Sequence, residues 1–561
     1  MFGISALDLV VVALYIAGIV ALGLWTKRSV STSGDYFMGN RRGSKRMMIM
    51  NALGAGTHTD QAIAVAGATY NIGLAGIWYQ WAYLLATPFY WLLAPIYRRV
   101  RYITIGDFFE QRYGSSLGIA YAVMGLTYFT LEIGLILKGT GTAIDAISGG
   151  RLPAEYVVIF LTLFFLAYSV LGGLVSALIV NLVQGSFIVI LSFLMIPFAL
   201  SAGGGFGALK AKLPEYMYTF VAPHEVTGLF IVMVLLNTLV GVVVLPHHMG
   251  VGGAGKSEIN CRSGFTYGNF AKRFATLGWA YIGVFAAALY PGLGPSNREE
   301  AFGIAITNLL PHGLIGLMIA AMAAMVLAAS NNYMVGGSAL FTRHFYRKYI
   351  RADSSEQNEL KVARLASVIV VVGGVVLALT LSSVVQGILY LWQFTAFFGI
   401  AFWMGIIWRR SNRYGVWASL ATTVAVSVVT GVFLKWPFEY QVAAYLPAGI
   451  FTLIMVSRFT QPEPEEQLRR FYTLLHTPVG EEGKLKAAGV PIMLEGISTP
   501  PASASDQGLE ENGHSLLLVD LLSLRSKFSF KRYRVDVVGF AKAILFVVAI
   551  LAVAVLTSYA R

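Results

Sequence analysis

The chain has 561 residues, 57% of them hydrophobic and 12% charged, with 41 Lys and Arg against 28 Asp and Glu. A water-facing surface needs about twice that share of charge, and the mean hydropathy is +0.68, so a soluble enzyme, a disordered chain and a disulfide-stapled secreted module are excluded. The net charge of +13 matches the excess of Lys and Arg on the cytoplasmic loops of a polytopic membrane protein and implies no nucleic acid; the single Cys261 excludes a multi-cysteine metal site.

A helix crosses a bilayer with about 20 apolar residues. Runs of that kind predict a retained helix over 7–25, then helices near 48–72, 76–97, 117–147, 154–174, 176–200, 227–249 and 270–292. They continue near 313–342, 362–384, 386–408, 413–434, 441–458 and 536–558. The reading is an all-α polytopic protein of about fourteen transmembrane helices. Short loops alternate between basic (Lys27 to Arg46, Arg98 to Arg112, Lys256 to Arg273, Arg343 to Arg364, Arg409 to Arg413) and nearly neutral. The basic loops face the cytoplasm, so both termini are expected outside the cell membrane.

The expected organisation is a first helix and basic loop over 1–46, five helices over 47–200, and five more over 225–409. Two peripheral helices follow over 410–460, then a cytoplasmic connection over 461–535 and a final helix over 536–561. The Pro, Ser and Glu content of 461–535 reads as largely disordered, with short interfacial helices over Leu468–His476 and Leu516–Phe528.

Polar residues inside spans carry more information than the apolar bulk, because backbone groups freed in hydrocarbon must find partners. In the second span, Gly54, Gly56, Thr57, His58, Thr59, Asp60 and Gln61 cluster at mid-membrane depth. A discontinuous helix lining a cavity accounts for them. Five helices later, Val240 to Gly250 contains Gly241, Pro246, His247 and His248, a second interruption at the corresponding place. Paired broken helices mark a transporter binding site at a repeat interface. Glu132 and Lys138 also lie within a span; they are about 120° apart on one helix, so each is expected to find a partner elsewhere. An intramembrane carboxylate is a functional candidate by default.

Several stretches, in order, resemble the sodium:solute symporter family. They are Asp35-Tyr-Phe-Met-Gly-Asn-Arg, Gly67-Ala-Thr-Tyr-Asn-Ile-Gly73, Thr104 to Gly114 and Tyr168-Ser-Val-Leu-Gly-Gly173, then Gly313 to Ala321 and Ala339 to Tyr346. The resemblance implies a LeuT-type fold of two inverted five-helix repeats. It further implies alternating access, with a small-molecule substrate bound midway through the bilayer. It places the sodium site on the carbonyls of Gly54 and Thr57, with Met325, Ala328 and Ala329 facing them where hydroxyls are usual. Alanine has no side-chain oxygen, so the implied site is degenerate. Ser330 comes in only by a one-residue slip, and Asn181 stands where the family commonly has Asp.

By the same resemblance, the substrate-lining places fall on Gln61, Gln80, Tyr83, Asn237, Tyr281, Trp392 and Gln393. Amides and aromatic rings without a fixed Arg or Lys favour a neutral hydroxylated solute such as a sugar. The expected function is secondary active transport, with no cofactor, no obligatory protein partner and Na+ as a weakly held coupling ion. Alternatives are a proton-coupled transporter using His58 and Asp60, since His titrates near neutrality, an uncoupled one, or a non-transporting ligand sensor. No nucleophile–base arrangement points to an enzyme.

Overall fold

Every regular element among the described residues is a helix, and β-pairing is limited to two isolated bridges, Gly43 with Gly255 and Ala222 with Val226. The computed structural model describes residues 4–26, 41, 43–169, 173–222, 225–294, 297–351, 353–381, 383–492, 515–524 and 528–559. Helix α1 spans Ala6–Thr26, and the first core helix is split into α2 (Lys45–Gly56) and α3 (Thr59–Ile72). Then come α4 (Phe89–Arg99), α5 (Ile105–Tyr113), α6 (Ser115–Ser148), α7 (Ala154–Ser169) and α8 (Gly173–Gly203). A second split helix follows as α9 (Gly228–Gly241) and α10 (His248–Gly253), then α11 (Glu258–Leu289), α12 (Ala301–Leu309) and α13 (Leu314–Phe341). The rest are α14 (Glu356–Thr380), α15 (Val384–Ile407), α16 (Arg413–Val428), α17 (Phe438–Phe459), α18 (Glu465–His476), α19 (Glu482–Ala487) and α20 (Phe530–Tyr559).

Eight helices among the described residues are long and apolar enough to cross a membrane by length and composition. The count over the described residues does not test the fourteen expected spans: α2 ends at Gly56 while its partner α3 runs on into 73–81, and the described parts of four further expected spans carry apolar stretches over 6–18, 154–164, 187–203 and 228–244. Helix α11 carries Lys272 and Arg273 in its middle. Large apolar side chains such as Ile369 on α14, Phe451 on α17 and Leu556 on α20 are exposed, as on helices that face lipid.

Both breaks leave backbone groups that hydrocarbon cannot satisfy, and each is met by a named partner. Thr57 and His58 are extended (φ −119° and −127°), which frees the last carbonyls of α2. His58 Nε2 lies 3.2 Å from Ala55 O, and Lys272 Nζ donates to Gly56 O. At the second break a 3-10 turn, Val242–Val244, leads into Leu245 and Pro246, which has no N–H to continue a helix. Tyr97 and Tyr121 hydroxyls donate to Val243 O and Val244 O at 2.8 and 2.7 Å. Helix α15 packs so closely there that a Cβ on Gly399 would sit 2.0 Å from Val240 O.

The reading of 461–535 as largely disordered is corrected over 461–492. Helix α18 buries Leu468, Phe471, Leu474 and Leu475, and α19 buries Leu485. Phe471 meets Phe108 on α5 edge-on at 5.2 Å. Arg99 pairs with Glu258 at 2.7 Å and donates to Leu475 O, while Val479 N donates to the same Glu258. Arg101 takes a left-handed φ of +57°, which costs a non-glycine residue about 1–2 kcal/mol. Its guanidinium donates to Arg99 O, Thr477 O, Pro478 O and Glu482, bonds that hold the strained conformation. Of the second expected short helix, 516–528, the described residues include a 3-10 turn, Leu521–Ser523, and Phe528 N donates to Leu524 O; residues 525–527 lie outside the described residues.

Candidate functional site

Between the two helix breaks lies a narrow cavity of about 60 Å3. Its walls come from α2, α3, the 78–83 stretch, α6, the second break, α11, α13 and α15. A water needs roughly 10–15 Å3 measured this way, so the cavity is closed down to a handful of waters. Drug-sized ligands occupy roughly 300–1,000 Å3, and a solute of sugar size requires the helices to part.

His58 organises the polar wall. Its Nε2 also lies 2.8 Å from the Tyr333 hydroxyl, and its Nδ1 is 3.0 Å from Gln61 Nε2. The same Nδ1 is 3.4 Å from Asp60 Oδ1 and 3.9 Å from Glu132 Oε2. Tyr128, one turn before Glu132 on α6, donates to Glu132 Oε1 at 2.7 Å. Arg273 donates to Gln80 O at 2.9 Å and lies 5.3 Å from the centre of the Tyr83 ring, which meets Trp392 edge-on. Asp60 Oδ1, Gln61 Oε1 and His247 Nδ1 are buried and make no hydrogen bond. Buried polar atoms are rarely left so, and in a cavity they are the groups a polar ligand satisfies.

The cavity brings together His58, Asp60, Gln61, Gln80, Tyr83 and Trp392. The other three expected substrate residues are not in its lining. Asn237 is tied to Trp392 O and the Tyr445 hydroxyl, packing α9 against α15 and α17. The Tyr281 hydroxyl donates to Thr557 on α20, and Gln393 donates to Gln441 on α17. Gly54 and Thr57 are buried at the first break, and Met325 and Ala329 are buried on α13. Thr57 Oγ1, Ser330 Oγ and both amide atoms of Asn331 are buried without hydrogen bonds. The side chains of Ala328 and Asn181 lie outside the described residues.

One premise is corrected outright: the cavity contains both a Lys and an Arg. By charge alternation Lys272 and Arg273 read as part of a basic cytoplasmic loop. Helix α11 in fact begins at Glu258, capped by Ser257, whose side chain accepts from Asn260 N. Fourteen residues at 1.5 Å each put Lys272 about 21 Å along it. The Ser-Glu start was the available signal, a standard N-cap pattern. Tyr128 and Tyr333 carried no signal, since tyrosines are plentiful in this chain.

Residues 36–422 match the sequence model of the sodium:solute symporter family. The chain belongs to that family. It is 26% identical over 508 residues to a sodium/glucose cotransporter of Vibrio parahaemolyticus, an alignment covering 81% of this chain and 90% of that one. It is 24% identical to an osmoregulated proline transporter of Bacillus subtilis (82% and 96% covered) and 24% identical to a sodium/pantothenate symporter of Haemophilus influenzae (82% and 97%). Among solved structures, a Na+-coupled sialic acid symporter in a substrate-bound outward-open state superposes with a TM-score of 0.70 at 14% identity, over 82% of this chain and 99% of the other. The family fold is therefore the LeuT-type helical fold, and this member is a multi-pass membrane transporter of small molecules rather than an enzyme.

Proposed function

We propose that this family member is a secondary transporter that moves a small, neutral, hydroxylated solute by alternating access, bound in the cavity between the two helix breaks. The observation that carries this is the set of buried, unsatisfied polar atoms, Asp60 Oδ1, Gln61 Oε1 and His247 Nδ1, facing one closed space. Lys272 and Arg273 do not make the site selective for anions. Lys272 Nζ and Arg273 Nη1 donate to backbone carbonyls, Arg273 Nε is a buried donor left for a solute oxygen, and the formal charges of Asp60, Glu132, Lys272 and Arg273 cancel. Tyr83, Trp392 and Tyr333 offer ring faces and edges to the apolar side of a sugar or polyol. The sodium/glucose relative favours the same class.

Sodium is the proposed coupling ion, held weakly. The oxygens fit a hard cation in part: the carbonyls of Gly54 and Thr57 at the end of α2, with Thr57 Oγ1, Ser330 Oγ and Asn331 Oδ1 as buried oxygens lacking hydrogen bonds, would hold it. The alanines at 328 and 329 contribute nothing. A thermal-shift screen of sugars, polyols, nucleosides and carboxylates on the purified protein tests the substrate class, because a ligand of the folded state raises its apparent stability. Uptake of the hit into proteoliposomes, with sodium and then with potassium plus an imposed proton gradient, tests coupling. A shift with carboxylates alone overturns the neutral solute. Uptake driven only by the proton gradient overturns sodium, and binding without uptake assigns the chain to sensing.

A further inference from the structure

Three electron pairs converge beside the first helix break. Ala55 O can only accept, so the hydrogen bond to it places the proton of a neutral His58 ring on Nε2 and leaves Nδ1 as a lone pair. Nδ1 has Gln61 Nε2 at 3.0 Å, Asp60 Oδ1 at 3.4 Å and Glu132 Oε2 at 3.9 Å, and one ligand atom from each of His58, Asp60 and Glu132 lies within 4.8 Å of the other two. Ligands held about 2.0–2.2 Å from one tetrahedral ion are about 3.4 Å apart. From this convergence we infer that His58, Asp60 and Glu132 bind a divalent first-row metal ion such as Mn2+, Co2+ or Zn2+.

The surroundings are those of a built site. Metal-bound histidines commonly give their other ring N–H to a carbonyl, and ligating carboxylates are themselves hydrogen-bonded. Ala55 O does the first for His58, and the Tyr128 hydroxyl does the second for Glu132 at 2.7 Å. Gln61 supplies a fourth ligand. Its Nε2 lies against Nδ1 while its buried Oε1 has no hydrogen bond, and a half-turn of the amide exchanges the two. The formal charges of Asp60 and Glu132 are offset by Lys272 and Arg273, which donate to Gly56 O and Gln80 O, so a divalent ion would be held by coordination and not by net negative charge. One imidazole with oxygen ligands suits borderline divalent ions, whereas sodium takes oxygen alone. The inference shares with the transport reading its cavity and two of its unsatisfied atoms, Asp60 Oδ1 and Gln61 Oε1, for which metal and solute compete, but it does not need the solute to be known.

The test uses the full-length protein in detergent, stripped with a chelator and titrated with Co2+ by absorbance and with Mn2+ and Zn2+ by calorimetry. The expected result is one saturable equivalent, a tetrahedral Co2+ spectrum and a raised melting temperature. His58→Asn, Asp60→Asn and Glu132→Gln should each weaken binding more than tenfold, and the milder Tyr128→Phe about tenfold. The inference falls if no saturable equivalent binds, if millimolar sodium displaces Co2+, or if affinity is unchanged in all four variants, as for adventitious binding at the exposed His476. The solute screen on the metal-free protein separates the two readings. A solute that stabilises it while Co2+ does not bind leaves transport standing and removes the metal; Co2+ binding with no responding solute does the reverse.

Discussion

Replacing Lys272 by methionine isolates the cation that closes the first helix break. Methionine keeps an unbranched chain as far as Cε, with sulfur in place of Cδ, and lacks the ammonium, which donates to Gly56 O. A hydrogen bond from a charged donor contributes about 1.5–3 kcal/mol, and a buried carbonyl left without a partner costs about 1–3 kcal/mol. These overlap, because the same bond is counted from both ends. Asp60 and Glu132 also lose a neighbouring positive charge, which makes their burial more costly. The expected loss is roughly 2–4 kcal/mol. Domains of 150–250 residues shift by about 2–4 °C per kcal/mol and larger ones by less, so melting in detergent should fall by roughly 3–8 °C. Lys212→Met, on an exposed side chain, is the control and should leave melting unchanged. A Lys272→Met protein that melts within about 1 °C of wild type would refute the reasoning, because Gly56 O would then have another partner.

Gln61→Ala and Gln80→Ala should each weaken ligand binding by about 1–3 kcal/mol, the cost of an unmade buried hydrogen bond, while Tyr281→Phe and Gln393→Ala leave the measured affinity unchanged. Ala328→Ser with Ala329→Ser should steepen the sodium dependence of uptake; steep low-millimolar dependence in wild type would show that these alanines do not face the ion. Docking of 465–490 should weaken in acid. Burial works to raise the Glu482 carboxyl, but the charge and hydrogen bonds of Arg101 outweigh it and hold the group below its ordinary value, so its contribution is complete above about pH 4.3 and is lost as pH falls through the lower folded value. Amide protection factors at α19, referred to the intrinsic exchange rate at each pH, should accordingly fall at low pH, and in Glu482→Gln they should be lowered already at neutral pH. A reporter fused after residue 561 should behave as extracytoplasmic, and cytoplasmic behaviour would overturn the expected topology.

Much of the architecture is written in local patterns. Apolar runs and interrupting glycines act within a few residues, so the helices over most of the chain and both breaks could be read directly. The cavity lining includes His58, Asp60 and Gln61, which stand out in the sequence as polar groups at membrane depth, and Gln80, which only the family resemblance marked. The misplaced residues share one cause. Tyr281, Asn237 and Gln393 were assigned by resemblance along a helix, where one residue turns a side chain by about 100°, and each instead ties neighbouring helices together.

The chain's composition and breaks determined by themselves that it is a membrane protein, that it is helical, and that its candidate site lies where two helices are interrupted. Only the tertiary structure decided which charges meet there. Lys272 and Arg273 follow a stretch that reads as a cytoplasmic loop, yet α11 continues through it and carries both into the cavity. Glu132 reaches His58 from another helix, more than seventy residues along the chain. Helix α18 is amphipathic in sequence, but only its docking beside α5 gives Phe471 a place to be buried. Charge pairing and docking depend on distances across helices, and no local pattern encodes them.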